Sequence, residues 1–275
     1  MRFTRITIRK LALTLLIAVA SGTSFAADNV GFVYVSPIGD AGWTYQHDLG
    51  RLQLEKETGV TTSYVENVAE GADAERVIRE MAKRGDKVVF ATSFGYMNYA
   101  LKVSKSFRDT AFVHVTGYKL GKNMGLVNAR FYEGRYLTGV IAGEMSKSNV
   151  LGYVAAFPIP EVLQGINAFI KGARRVNPEA ELRVIWVNSW YDPGKERQAA
   201  MTLMSQGADI ITHHTDSTAV VQAAEEEGKY AFGYHSDMSK YGHRSEICDD
   251  RAVLSMQQMW GEVEVESNSL VYVGG

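Results

Sequence analysis

Apolar and polar positions alternate in blocks along most of this chain. Runs of β-branched and other apolar residues stand at 30–35, 61–65, 87–91 and 111–116, and a second set at 150–155, 182–187, 209–212 and 230–234. Near-continuous apolar runs of this length predict strands buried on both faces. Between them the period changes. Ala74, Val77, Ile78 and Met81 fall at i, i+3, i+4 and i+7, the apolar face of a helix over 73–84, with Asp73 as its cap and Gly85 as its stop. Asp192-Pro193 opens another helix with Pro at the first helical position, and Gly207 closes it. A third spans 217–227 and ends at Gly228; a long helical stretch, 131–145, is followed by Lys147-Ser148-Asn149, after which strand–helix alternation restarts.

Strands alternating with helices predict an α/β protein with parallel sheets covered on both faces. The restart after residue 146 divides the chain into two doubly wound lobes, 27–146 and 147–242. In such sheets ligands lie beyond the carboxyl ends of the strands, which selects the loops 36–48, 92–98, 117–119, 157–161, 188–192, 213–217 and 235–238. They carry Trp43, Tyr45, Phe94, Tyr96, Tyr118, Phe157, Trp190 and Tyr191, an aromatic set concentrated where a ligand would sit.

Each candidate has two readings. Trp43, after Pro37, Gly39 and Gly42, is either a face for a flat heterocycle or a core residue beneath the loop; Gly42 allows close backbone approach. Phe94, Gly95 and Tyr96 form an aromatic–Gly–aromatic turn at a helix start, where free N–H groups suit a polar ligand edge; the alternative is packing between the lobes. Trp190 is a candidate second aromatic face from the opposite lobe, and Asp192 beside it reads better as a helix cap. Asp237 and Asp216 place carboxylates at strand ends, as acceptors for an amine, hydroxyl or ring N–H, or as turn and cap residues. His213 and His214 are adjacent on a strand and point to opposite faces, so no metal site is expected; His47 and His214 remain candidate polar contacts.

Composition narrows the class. Hydrophobic residues make up 46% of the 275 and charged residues 22%, a globular balance. The start is different: Arg2, Arg5, Arg9 and Lys10 precede the apolar run 11–20, and Ser24-Phe25-Ala26 supplies small residues for cleavage. That predicts a secretory signal peptide over 1–26, too short in its apolar part for a stable span, and hence a periplasmic protein. Its removal leaves 25 basic against 31 acidic side chains, net −6, which disfavours nucleic acid or anionic membrane as the main partner. Cys248 is the only cysteine, so neither an intrachain disulfide nor a lipid-attachment Cys after the apolar run is possible.

Several stretches together resemble the basic membrane protein family of ABC-transporter substrate-binding proteins: G-D-A-G-W-T-Y-Q-H-D-L-G-R at 39–51, A-T-S-F-G-Y-M at 91–97, H-V-T-G-Y-K at 114–119, F-Y-E-G-R-Y-L-T-G-V-I-A-G at 131–143, W-Y-D-P-G-K-E at 190–196, Q-G-A-D-I-I at 206–211, H-T-D-S at 214–217 and G-Y-H-S-D at 233–237. The likeness covers about 29–242. It implies a type I periplasmic-binding-protein fold, two α/β lobes hinged to close on a purine base or nucleoside. Gly42-Trp43-Thr44 stands where the nucleoside binders usually carry Ser-Phe-Asn, a departure resembling the branch that takes free bases. Residues 243–275 do not resemble the family and read as an atypical tail, a truncated or frameshifted return to the first lobe.

The function expected from these readings is capture without chemistry. A monomeric protein would hold adenine, guanine or their nucleosides between Trp43, Phe94 and Trp190, with Gly95, Tyr96, Asp216 and Asp237 around them, and deliver the ligand to an ABC transporter permease with no cofactor. Two other classes stay open. One is a binding protein or sensor for a sugar or autoinducer on the same fold, since aromatic faces also stack on sugars. The other, a nucleoside hydrolase, lacks a G-x-S-x-G motif and any pair of carboxylates at a convincing spacing.

Overall fold

The computed structural model describes residues 29–242; the expectations for residues 1–26 and 243–275 lie outside the described residues. The first lobe begins with β1 (Asn29–Val33), α1 (Trp43–Thr58), β2 (Thr61–Val65), α2 (Ala72–Arg84), β3 (Val88–Ala91), α3 (Met97–Ser104), β4 (Ala111–Val115) and β5 (Met124–Val127). The second contains α4 (Phe131–Met145), β6 (Val150–Ala155), α5 (Pro160–Val176), β7 (Glu181–Trp186), α6 (Pro193–Ser205), β8 (Ile210–His214), α7 (Ala219–Glu226) and β9 (Tyr230–Phe232). The sheets are ordered β2-β1-β3-β4-β5 and β7-β6-β8-β9, and every pairing between these strands is parallel. In each lobe the strand order reverses beside the first strand, between β1 and β3 and between β6 and β8. Those two crevices are where an open α/β sheet receives ligands.

Both faces of each sheet are covered, as the apolar runs require. Val33, Val89 and Phe112 pack under Ile78 and Met81 of α2, with the predicted apolar stripe fully inward. In the second lobe Val154 and Ile211 pack under α6 and α7, while Leu151, Tyr153 and Phe232 pack under α5 with Phe169. The caps match in part. Asp192 accepts from Lys195 N at 3.0 Å and caps α6, and Gly85 ends α2 in the left-handed region. Asp73 does not cap α2: the N-cap is Gly71, and Asp73 sits in the first turn, paired with Arg76.

Two elements differ from the sequence expectation for identifiable reasons. α1 has no apolar stripe because it docks through polar groups. Its buried residues are Thr44, Asp48 and Arg51; Arg51 Nε donates to Asp48 at 2.6 Å, Tyr34 OH donates to the same carboxylate at 3.3 Å, and the guanidinium lies 4.8 Å from the centre of the Tyr64 ring. β5 adds a ninth strand among the described residues. It follows β4 through residues 116–123 with no helix between, an unusually short link for a parallel pair.

The expected boundary at residue 147 follows α4, and the contacts of that helix bear on where the lobes join. Among the described residues the chain passes from first to second lobe once, between β5 and α4, because α4 packs on α5 and not on the first sheet. Glycines allow this backbone-to-backbone contact: an added Cβ would lie 2.0 Å from Phe169 O at Gly139, 2.1 Å from Tyr136 O at Gly172 and 2.5 Å from Ala173 O at Gly143. The fully buried Arg135 ties α4 to β8, donating to Thr212 Oγ1 at 2.8 Å and to the His213 carbonyl at 2.5 Å.

This packing yields a pair of stability predictions. Gly172→Leu forces α4 off α5 and lowers the unfolding free energy by about 1–3 kcal/mol or more, read as a lower urea midpoint. Gly50→Ala, on the exposed face of α1 with nothing within 4 Å of the added Cβ, raises stability by about 0.5–1 kcal/mol. Equal midpoints for wild type and Gly172→Leu would show that the two helices do not meet this closely.

Candidate functional site

The loops at the strand ends meet across a gap between the lobes. From the first lobe come Val35, Trp43, Ser93, Phe94 and Thr116; from the second come Ile159, Glu161, Trp190, His214, Asp216 and His235. The gap holds about 340 Å³ of atom-free space, part of it open to solvent.

The chain leaves β1 through Gly39 and Gly42, both at positive φ, and α1 begins at Trp43. The indole is half-buried and fixed by a 2.6 Å hydrogen bond from its Nε1 to the Thr92 carbonyl. Its ring centre lies 4.4 Å from His47, 4.7 Å from His235 and 6.1 Å from Phe131. Trp190 lies on the opposite wall, 5.1 Å from Phe157 and 6.2 Å from His214 between ring centres. Phe94 completes the aromatic lining from the end of β3.

The lobes touch directly. Gly42 N donates to Ser236 Oγ at 2.7 Å, Ser36 Oγ donates to Asp216 Oδ2 at 3.1 Å, and Trp190 Nε1 donates to Glu70 Oε1 at 3.0 Å. At Gly42 a Cβ would lie 2.1 Å from the Asp216 carbonyl oxygen, and φ there is +92°. The glycine expected to admit a ligand therefore admits the other lobe's backbone.

The polar lining is close to uncharged. Burial, and then the neighbouring Glu196, push Asp216 up to about 8, against the hydrogen bond from Ser36. Burial pushes Glu161 up to about 7, against the pull of Arg135. Burial holds His47 down at about 4 and keeps His214 and His235 well below the usual imidazole value. At neutral pH the gap thus presents flat aromatic faces and neutral imidazoles, with Asp216 mostly protonated and Glu161 near the midpoint of its titration.

Four of the seven sequence candidates, Trp43, Phe94, Trp190 and Asp216, line this gap. Three do not. Tyr96 is fully enclosed in the first-lobe core, where its hydroxyl donates to the Val68 carbonyl. Gly95 lies beside the gap, but its N–H is taken by Glu70 Oε1 at 3.0 Å, so it is not a free donor for a ligand edge. Asp237 is exposed and accepts from Ser239 N at 3.0 Å, the turn reading of that carboxylate. The chain after β9 turns at His235, which has φ +61°, and brings the imidazole to the gap in its place.

Thr116, Glu161 and His235 were missed as lining residues, and Glu70 as the bridge between lobes. Glu161 lies in the stretch 157–161 selected as a strand-end loop, which was the usable signal; in the structure it stands in the first turn of α5. Among the described residues no group of three or more His, Cys, Asp or Glu could hold a metal ion, and no helix is long and apolar enough to cross a membrane.

Comparison with known proteins agrees with this architecture. The chain is 52% identical over 247 residues to a protein of Brucella abortus named as a purine-binding protein, covering 89% of this chain and 69% of that one. It is 44% identical over 215 residues to a Haloferax volcanii protein named as a putative ABC transporter glucose-binding protein, covering 78% of this chain and 55% of that one. A solved ABC-transporter solute-binding protein from Aeropyrum pernix superposes with a TM-score of 0.71 at 19% identity, over 82% of this chain and 66% of that one, and so shares the fold. Residues 27–264 match the family of PnrA-like ABC transporter substrate-binding proteins, a span that runs past Gly242, where the sequence likeness had been placed to end. With the paired parallel sheets and the gap at their strand ends, this match establishes that the chain belongs to that family of substrate-binding proteins.

Proposed function

We propose that this protein captures a neutral purine, as free base or nucleoside, by closing Trp43 and Phe94 of one lobe and Trp190 of the other around it. The observation that carries the reading is that both indoles line the same gap. Stacking suits a flat π-system and contributes about 0.5–1.5 kcal/mol per ring pair beyond the area buried. The name of the Brucella relative supports the same ligand class.

The name of the Haloferax relative favours a sugar instead. A hexose presents several hydroxyls, each needing a partner once buried. The lining here is aromatic, with neutral imidazoles and only two carboxyls, and suits a purine better.

Family membership implies a small-molecule cargo and a transporter partner. The finer picture is part of this proposal: a monomer exported by its signal peptide to the periplasm, handing an unaltered purine to an ABC permease, with no cofactor and no affinity for nucleic acid.

Calorimetric titration with adenine, guanine, adenosine, guanosine and glucose tests the ligand class. A purine binds and glucose does not; the opposite result overturns the reading. Trp43→Ala weakens purine binding by about 1–3 kcal/mol, the range for one lost stacking platform, and unchanged affinity would return Trp43 to a structural role. After incubation with adenosine, chromatography finds no free adenine.

Closure has a proton signature. In the closed form Asp216 is buried against Ser36 and Gly42 and titrates at about 8; opened to water, an aspartate titrates at about 3.9. Between those values the open form has lost a proton that the closed form keeps. Closure therefore takes up a proton and weakens as pH rises through this window, by up to about tenfold per unit. Asp216→Asn flattens the dependence, seen as reduced proton uptake when titrations are compared in buffers of different ionisation enthalpy.

A further inference from the structure

Glu161 has a role that stacking does not explain. It stands in the first turn of α5, on the second-lobe wall between the aromatic faces. Its Oε1 lies 3.7 Å from His214 Nε2, and its Oε2 is buried with no hydrogen-bond partner. His214 Nδ1 and both ring nitrogens of His235 are likewise buried and unpartnered. A buried polar atom left unpaired costs about 1–3 kcal/mol, so this wall is built for a guest that brings complementary donors and acceptors. The aromatic rings supply faces only; the hydrogen-bonding edge of the guest must meet this wall.

We propose that Glu161 pairs with the hydrogen-bonding edge of the bound purine and sets the balance between adenine and guanine. The inference rests on the purine reading above. A protonated carboxyl offers one donor and one acceptor side by side. That pair meets the amino group and ring nitrogen of adenine, and equally the oxo group and ring N–H of guanine. An ionised carboxyl offers acceptors only. It meets the ring N–H and amino group of guanine with two bonds, and opposes the bare ring nitrogen of adenine. The protonation state of one side chain therefore changes which base is preferred.

The surroundings place that change near neutrality. Arg135 on α4 favours the charged form; burial disfavours it and dominates, and Tyr153 on β6, Tyr234 after β9, and the neutral His214 and His235 are the other titratable groups around the carboxyl. The side chain keeps 15% exposure and also borders a surface depression lined by Asn128, Arg130 and Gln164, which gives its proton a route to solvent.

The test is the ratio of the guanine and adenine dissociation constants, measured by calorimetry on the full chain at about pH 6 and about pH 8. Asp216 affects both bases alike and cancels in the ratio. In wild type, adenine weakens about tenfold relative to guanine across this interval, the loss of the protonated form of a group titrating near 7. Glu161→Gln keeps one donor and one acceptor, so it binds both bases and shows a ratio that does not move with pH. Glu161→Ala weakens both at least about tenfold at the lower pH. A wild-type ratio independent of pH, a Glu161→Gln ratio that retains the wild-type slope, or unchanged binding in Glu161→Ala overturns the proposal. Failure of wild type to bind any purine overturns the purine reading itself, a different result from tight binding that ignores Glu161.

Discussion

The closed cleft depends on one close approach: the backbone of Gly42 against the carbonyl of Asp216. No side chain fits between them, and the φ of +92° at Gly42 is itself a conformation that glycine adopts without strain. Once this contact forms, Gly42 N reaches Ser236, Ser36 reaches Asp216, and Trp43 is presented to the gap at the start of α1. The indole is held in place by the carbonyl of Thr92 at the end of β3. One glycine thus couples the docking of the lobes to the placement of the principal aromatic face.

Closure also sets the electrostatics. The gap is walled by rings and by groups that burial shifts toward their neutral forms, so an anionic guest would find no counter-ion in its lining and pay the cost of leaving water. A neutral heterocycle loses little on desolvation and gains stacking on entry. Glu161 and Asp216 differ in what they do. Asp216 is satisfied by the other lobe through Ser36 and belongs to the latch; Glu161 keeps an oxygen unpaired and belongs to the guest.

Much of the fold was readable because the two lobes are built from apolar strands whose flanking helices obey simple periodicity. The stripe of α2 and the Asp192 cap of α6 were legible in this way. α1 was not, since its inner face is Asp48 and Arg51, a buried ion pair supported by the Tyr34 hydroxyl, the Tyr64 ring, Thr62 and Glu55. The packing of α4 was not readable from its place after the first set of strands, since its Gly139 and Gly143 meet the backbone of α5 and Gly172 of α5 meets its own. At the site, aromatic residues at strand ends pointed to loops that line the gap. Which of them face the gap depended on local turns: the left-handed residue His235 brings its own ring in and leaves Asp237 outside, and the 3-10 turn after β3 sends Tyr96 into the core while Phe94 stays out.

Phe131 stands at the first turn of α4, where the described chain crosses between lobes, and its ring lies against both Trp43 and His235. Points near a pivot travel least when two bodies rotate about it. Were the lobes to rotate about this crossing, the wall carrying Trp190 would travel most and the Phe131–Trp43 contact least. An arriving guest would then meet a half-built berth on the first lobe, and the second lobe would fold over it like a cover.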